Sequence, residues 1–526
     1  MHPLVRRLGV VLGVAGLAVP VGSAAAGTTD RGPVVPVIAW GSCGAEPALA
    51  KFQCASVEVP TDYDQPRGAT TTIALTRLPA SKPAERIGTL FTNPGGPGGA
   101  GLPFVQQFAT TTYSADVRAK FDILGFDPRG VGKSDPVTCF PTAAEEAAAM
   151  TGLPQFPMTR DEIRQTNRIN AKLGLGCLKT SPDRLKHFST ANVARDMDLL
   201  RQAVGDKKLT YIGYSYGTYL GATYAELFPH NIRALALDGT WTPSSYAGSS
   251  ADSRPLGVRL GQAKAASEVF AQFKAECKQA GPSQCALAAL GDPGTAAEQT
   301  LERLKTHPVD VTLPDGSKLT ITYALTVGMI FSQLYSPAAW PNLALALTDL
   351  AVPRRTATKT LGKASATVFG WNQREEDYAS LGTALQPCVE AQQTGRPFAY
   401  QAMADAADKK YPHFGRLRTW TGQACEFIPV RDTDAVRGPW TKLKADAPVL
   451  VIGTRHDPAT PYAATRPYAD LYPDAHLLTV NGWGHTTIGK SACADAAITR
   501  YLVTLDRPAD GASCAQNRRP FDPPGR

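Results

Sequence analysis

The sequence predicts an α/β layered fold, a mostly parallel sheet flanked by helices, with a largely helical segment inserted before the last two core strands. Three observations predict it. Short apolar, β-branched runs recur along the chain, and most are continuous rather than alternating, as in strands covered on both faces. Helical patterns, such as that over 190–204, fall between several of them. The regular alternation stops after Asp238 and resumes only at Val449.

Residues 1–26 read as a signal peptide. Arg6 and Arg7 precede an apolar stretch, and Ser23-Ala24-Ala25-Ala26 supplies the small residues that cleavage needs. That stretch is too short for a stable anchor, and no later segment reaches about 18 uninterrupted apolar residues. A secreted, extracellular protein without a stable membrane anchor is expected, and a monomer is favoured. The segment 27–37 is a short pro-segment or a disordered start.

Residues 27–245 are expected to hold the N-terminal part of the core, with strands over 56–59, 71–78, 89–92, 121–126, 209–214 and 234–238. Residues 246–440 form the expected cap. Its helices fall over 263–280, 296–306 and 323–335, with a hairpin over 309–322 turning on Pro314-Asp315-Gly316. The small, polar stretch 356–370 reads as a mobile loop. Residues 441–526 complete the core with strands over 449–453 and 476–480.

Composition narrows the function. The formal net charge of +8 is spread along the 526 residues, and no basic run is interleaved with aromatics, which argues against a nucleic-acid partner. Ten cysteines in an exported chain argue for disulfides. Proximity pairs Cys43 with Cys54, Cys139 with Cys177, Cys277 with Cys285, Cys388 with Cys425 and Cys493 with Cys514. The chain has no C-x-x-C or H-E-x-x-H motif and its histidines do not cluster, so no metal or cofactor is expected.

Chemistry concentrates at Gly213-Tyr214-Ser215-Tyr216-Gly217, a G-x-S-x-G sequence between an apolar run and a helical pattern. Strand, G-x-S-x-G and helix together place a nucleophilic serine on a sharp turn. Serine needs a base to take its proton, and the base needs a carboxylate to orient it. Asp457 and His485 follow the two late strands in the required order of acid, then histidine. His456 competes as base and Asp238 as acid. The neighbour of an acid is poorly placed to be oriented by it, which favours His485.

An acyl-transfer site also needs oxyanion donors. One is the backbone amide of Tyr216. The other belongs to the loop Asn93-Pro94-Gly95-Gly96-Pro97-Gly98-Gly99, with Gly95 or Gly96 as donor and Gly95 assigned. Asp127 and Arg129, in Phe126-Asp127-Pro128-Arg129-Gly130, read as a buried structural pair that shapes the loop floor.

These motifs resemble those of the secreted tripeptidyl aminopeptidases, α/β-hydrolase serine exopeptidases related to the proline iminopeptidases. The resemblance rests on Asn93 to Gly98, Gly125 to Gly132, Ser215 to Gly221 and Asp457 to Pro461. It spans Val35 to Cys514 and is weakest between Tyr246 and Trp440. It implies cleavage of short peptides from a free N-terminus under a cap whose acids pair with the substrate ammonium. The family often carries Cys-x-Asp where this chain has Cys388-Val389-Glu390, so Glu390 is the expected amine anchor. A secreted esterase or small-amide hydrolase with the same triad, and a non-catalytic envelope protein on this scaffold, are the alternatives.

Overall fold

The computed structural model describes residues 32–312, 318–351 and 381–523. The signal segment 1–26, the start of the 27–37 stretch, the hairpin turn 314–316 and the loop 356–370 lie outside the described residues.

Ten strands form one sheet in the order β1-β2-β3-β5-β4-β6-β7-β10-β11-β12. They are β1 (Gly41–Ser42), β2 (Gln53–Pro60), β3 (Thr70–Leu78), β4 (Gly88–Asn93), β5 (Phe121–Phe126), β6 (Leu209–Tyr214), β7 (Ile232–Asp238), β10 (Val449–His456), β11 (Ala475–Trp483) and β12 (Ala512–Ala515). The first three pair antiparallel at one edge, and β3 also meets β5 antiparallel. From β5 to β12 every pairing is parallel. A separate antiparallel hairpin, β8 (Val309–Thr312) with β9 (Lys318–Ile321), lies in the insertion.

The continuous apolar runs have a direct structural cause. Along each central strand, neighbouring residues enter cores on opposite faces of the sheet. Phe91, Leu124, Tyr211, Leu235 and Val451 pack with helices Thr190–Ala203 and Tyr216–Leu227. Leu90, Ile123, Ile212, Ala236 and Ile452 pack with helices Gly101–Thr112 and Ala492–Thr504. Both faces are covered, so both parities of each strand are apolar.

The insertion builds a further core, where Val269 and Phe273 of helix Gln262–Ala280 meet Trp340, Leu343 and Leu347 of helix Trp340–Ala351, and which Phe156 and Phe521 enter from outside it. Three strands follow it rather than the expected two. The four-residue β12 carries too few apolar residues to be recognised in sequence, and it is held beside β11 through parallel pairing and the Cys493–Cys514 disulfide. The late strands also run further than expected. Asp457 directly follows β10, and only Gly484 separates His485 from β11.

Five disulfides join the pairs that proximity suggested, and no cysteine is free. Among the described residues no helix is long and apolar enough to cross a membrane.

Candidate active site

Ser215 sits on a sharp turn between β6 and the helix Tyr216–Leu227, with φ 56° and ψ −123°. A non-glycine residue at positive φ is strained, and the flanking glycines show what enforces the strain. A Cβ on Gly213 would lie 2.4 Å from the Gly217 carbonyl oxygen, and one on Gly217 would lie 2.9 Å from that of Asn93. The turn closes only without those side chains. The Ser215 amide donates to the Asp238 carbonyl at 2.9 Å, fixing the turn to the end of β7.

Asp457 and His485 are brought together. His485 Nδ1 lies 2.9 Å from Asp457 Oδ2 and 3.0 Å from Oδ1. The carboxylate also accepts from the amides of Ala459 and Thr460, each at 2.8 Å, from Thr460 Oγ1 at 2.7 Å and from the Thr486 amide at 3.1 Å. Burial favours the neutral acid, but the His485 ring and these donors outweigh it and hold the carboxyl below the ordinary aspartate range. An acid that stays ionised while bound to Nδ1 leaves Nε2 free to act as a base. The ring packs over the residue after Asp238, because a Cβ on Gly239 would lie 3.5 Å from His485 Cε1. Ser215 and His485 therefore flank the same β7 terminus. Among the described residues no hydrogen bond joins Ser215 Oγ to the ring, a contact that often tightens only with substrate bound.

The glycine loop lies against the serine turn. A Cβ on Gly95 would lie 2.5 Å from the Tyr214 carbonyl oxygen and 2.8 Å from Ser215 Cβ. The Gly95 amide, however, donates to Asn93 Oδ1 at 2.9 Å. Gly96 lines the cavity beside Ser215, and neither its amide nor that of Tyr216 is taken by a described residue. The geometry thus favours Gly96 over Gly95 as partner to Tyr216.

That cavity, of about 450 Å³, is walled by core and insertion together. Gly96, Ser215 and Trp241 stand on the core side, and Leu260, Tyr335, Arg418 and Trp420 come from the insertion. No Asp or Glu among the described residues lines it. Glu390 is buried instead, at 2% exposure, and accepts from the Thr190 amide at 2.7 Å, Thr190 Oγ1 at 2.8 Å and the Tyr246 hydroxyl at 2.8 Å. Burial pushes its carboxyl up to about 7. It holds Tyr246, a wall residue, rather than facing the cavity.

The competing groups go elsewhere. The ring of His456 stacks on Trp483 with centroids 6.0 Å apart, and the Asp238 carboxylate binds Thr487. Asp127 and Arg129 are both buried, but they do not form the expected pair. Asp127 accepts from the amides of Leu102, at the start of a helix, and Lys133, groups that would otherwise be orphaned. Arg129 instead forks onto Asp196 at 2.6 and 2.7 Å, the bidentate geometry that a guanidinium favours.

Two contributors were missed. Thr460 could have been found, since Asp followed three residues on by Thr is an Asx-type turn signal. Lys490 could not. Its buried Nζ donates to the His485 carbonyl and, at 2.9 Å, to the Thr486 carbonyl. Burial brings its pKa down to about 8 against the pull of Asp457 and Asp238.

Comparison with known proteins agrees with this architecture. The family described as alpha/beta hydrolase fold matches residues 88–276, and the one described as TAP-like protein matches residues 411–514. Serine protease Hip1 of Mycobacterium tuberculosis is 32% identical over 504 residues, covering 91% of this chain and 91% of that protein. Tripeptidyl aminopeptidase of Streptomyces lividans is 29% identical over 499 residues, covering 92% of this chain and 87% of that protein. Carboxylesterase B of M. tuberculosis is 32% identical over 513 residues, covering 93% and 92%. Fold and similarity together define an enzyme, a serine hydrolase of the α/β-hydrolase architecture. The chain belongs to the tripeptidyl aminopeptidase family, which its likeness to serine protease Hip1 makes a family of serine peptidases. The non-catalytic reading is thereby set aside.

Proposed function

We propose that this peptidase is a secreted exopeptidase that releases short peptides from free N-termini through an acyl-enzyme on Ser215. Ser215 Oγ attacks the peptide carbonyl while His485 Nε2 takes its proton, and Asp457 stabilises the imidazolium. The amides of Tyr216 and Gly96 hold the oxyanion. His485 then protonates the leaving amine, and water hydrolyses the acyl-enzyme. Residues 246–440 act as the cap on a core made of 27–245 and 441–526. The five disulfides support export after removal of residues 1–26.

The observation that carries this reading is the roofed cavity of about 450 Å³ with Ser215 in its wall, a volume suited to a short segment rather than a folded protein. Glu390 acts on the site through Tyr246 and not as a direct ammonium contact. An esterase reading is favoured by a different observation, the lack of any described carboxylate lining the cavity. Its counterpart is the Carboxylesterase B relative, as similar as Hip1. Hydrolysis of tripeptide anilides with free and acetylated N-termini, beside a simple p-nitrophenyl ester, separates the two. A strong preference for the free amine supports the exopeptidase. Equal rates on free and blocked anilides would overturn it.

A further inference from the structure

Arg418 is the charged residue of the cavity wall, and it has no carboxylate partner among the described residues. It lies on helix Phe414–Trp420, and its guanidinium covers the ring of Phe331 at 4.9 Å. Nη2 donates to Gln262 Oε1, while Nε is buried with no hydrogen-bond partner among the described residues. A guanidinium cannot shed its charge, so desolvating one without an anion is unfavourable.

Other buried arginines here have carboxylates or carbonyls around the guanidinium. Arg129 forks onto Asp196. Arg259 donates to the carbonyls of Ser245, Tyr246, Arg254 and Gln392 at 2.7–3.1 Å. Arg416, two positions before Arg418 on the same helix, also has a buried Nε without a hydrogen bond, but its charge is balanced by Asp405 and Asp408. Arg418 alone of these faces the cavity that Ser215 lines.

It is also tied to the reacting centre. Gln262 Nε2 donates to the Ala459 carbonyl at 2.9 Å, and the Ala459 amide donates to Asp457 Oδ1 at 2.8 Å. Tyr335 lines the same wall with its ring 5.0 Å from that of His485.

We propose that Arg418 binds a carboxylate of the substrate, so that the enzyme selects peptides with an acidic group near the scissile bond. A guanidinium offers a planar fork that matches a carboxylate, and Arg418 brings its charge to the cavity wall with no carboxylate among the described residues to balance it. The inference rests on this cavity being the substrate site of the peptidase proposed above. The carboxylate has two possible sources, an Asp or Glu side chain or the free C-terminus of a very short peptide.

The test compares kcat/KM within matched substrate pairs. One set holds tripeptide anilides with Glu or Gln at each position in turn. The other holds tetrapeptides with a free or amidated C-terminus. In at least one set the acidic member should be favoured by about tenfold or more, the scale of a charge-assisted hydrogen bond. Arg418→Gln should bring that ratio to near one, and Arg418→Lys, which keeps the charge but loses the fork, to an intermediate value. Ratios near one in both sets for the parent enzyme overturn the proposal without any variant. So does a ratio that survives in Arg418→Gln. Each substrate is also run with its N-terminus acetylated. Indifference to acetylation removes the exopeptidase reading and leaves the acid-to-neutral ratio free to decide the role of Arg418.

Discussion

The Thr487 amide and hydroxyl both donate to Asp238 Oδ2, each at 2.8 Å. Asp238 ends β7, and its carbonyl accepts the Ser215 amide at 2.9 Å. One buried residue thus holds the serine turn through its backbone and the histidine loop through its side chain. Lys490 closes the same loop from below through the carbonyls of His485 and Thr486. The relative placement of Ser215 and His485 is set by this scaffold as much as by the Asp457 contact.

Asp238→Ala should therefore act as a positioning defect. Two hydrogen bonds to a buried carboxylate are lost, so a destabilisation of about 1–3 kcal/mol is expected. A loosened His485 should lower kcat by about tenfold while KM changes little. Asp238→Asn keeps an acceptor for Thr487 and should lose less of both. Steady-state kinetics beside thermal unfolding measure this, and an Ala variant as active as the parent would remove Asp238 from the positioning scheme.

Asn93 bears on the oxyanion. Its Oδ1 holds the Gly95 amide, and its Nδ2 is buried without a partner among the described residues. Asn93→Asp preserves the acceptor and adds negative charge beside the site where negative charge develops. Its kcat should fall by on the order of 100-fold, the scale of one oxyanion donor. Asn93→Ala, which only frees the loop, should fall less. The order of the two variants, read in kcat, is the measurement, and a reversed order would mean that loop rigidity outweighs charge.

The parts of this site legible in sequence were those whose backbone demands leave a mark. Gly213 and Gly217 are required by close approach, and the turn they permit is local. The strand positions, and with them the places of Asp457 and His485, followed from apolar runs that fill both faces of the sheet. Pairing across distance was less legible. Arg129 and Asp127 are two apart in sequence, yet the partner of Arg129 is Asp196, on a helix that the sheet topology brings over it. Likeness makes Glu390 an anchor for the substrate amine, whereas Thr190 and Tyr246 draw it under the wall. Arg418 carried no sequence signal, because a cavity cation without a carboxylate partner among the described residues is defined only by what does not surround it.

The assignment of the triad has its own test. Ser215→Ala should lose about 10⁴-fold or more in kcat with an unchanged unfolding temperature, since the serine contributes its hydroxyl and not its packing. Asp457→Asn should lose about 10⁴-fold, because an amide can orient His485 in the wrong tautomer. An active-site titration with a fluorophosphonate, followed by peptide mass spectrometry, should find the label on Ser215. Label elsewhere, or activity retained in Ser215→Ala, would displace it as nucleophile.

Glu390 should write itself into the pH dependence of stability. Burial raises its carboxyl from an ordinary 4.5 to about 7 in the fold. Between those values the folded state binds more protons than the unfolded chain, so stability falls as pH rises through that window. A shift of that size corresponds to roughly 3 kcal/mol lost between about pH 4.5 and pH 7. Asp238, raised to about 6 by burial, has the same sign over a lower window, so the parent alone cannot isolate Glu390. Glu390→Gln can: like the neutral acid it keeps one acceptor oxygen, enough for the Thr190 amide, and it removes the titration. Denaturant unfolding of both proteins from about pH 5 to pH 8 should show curves that converge or cross, with the variant losing less stability as pH rises. Parallel curves would mean that Glu390 is ionised throughout and that Thr190 and Tyr246 compensate its burial in full.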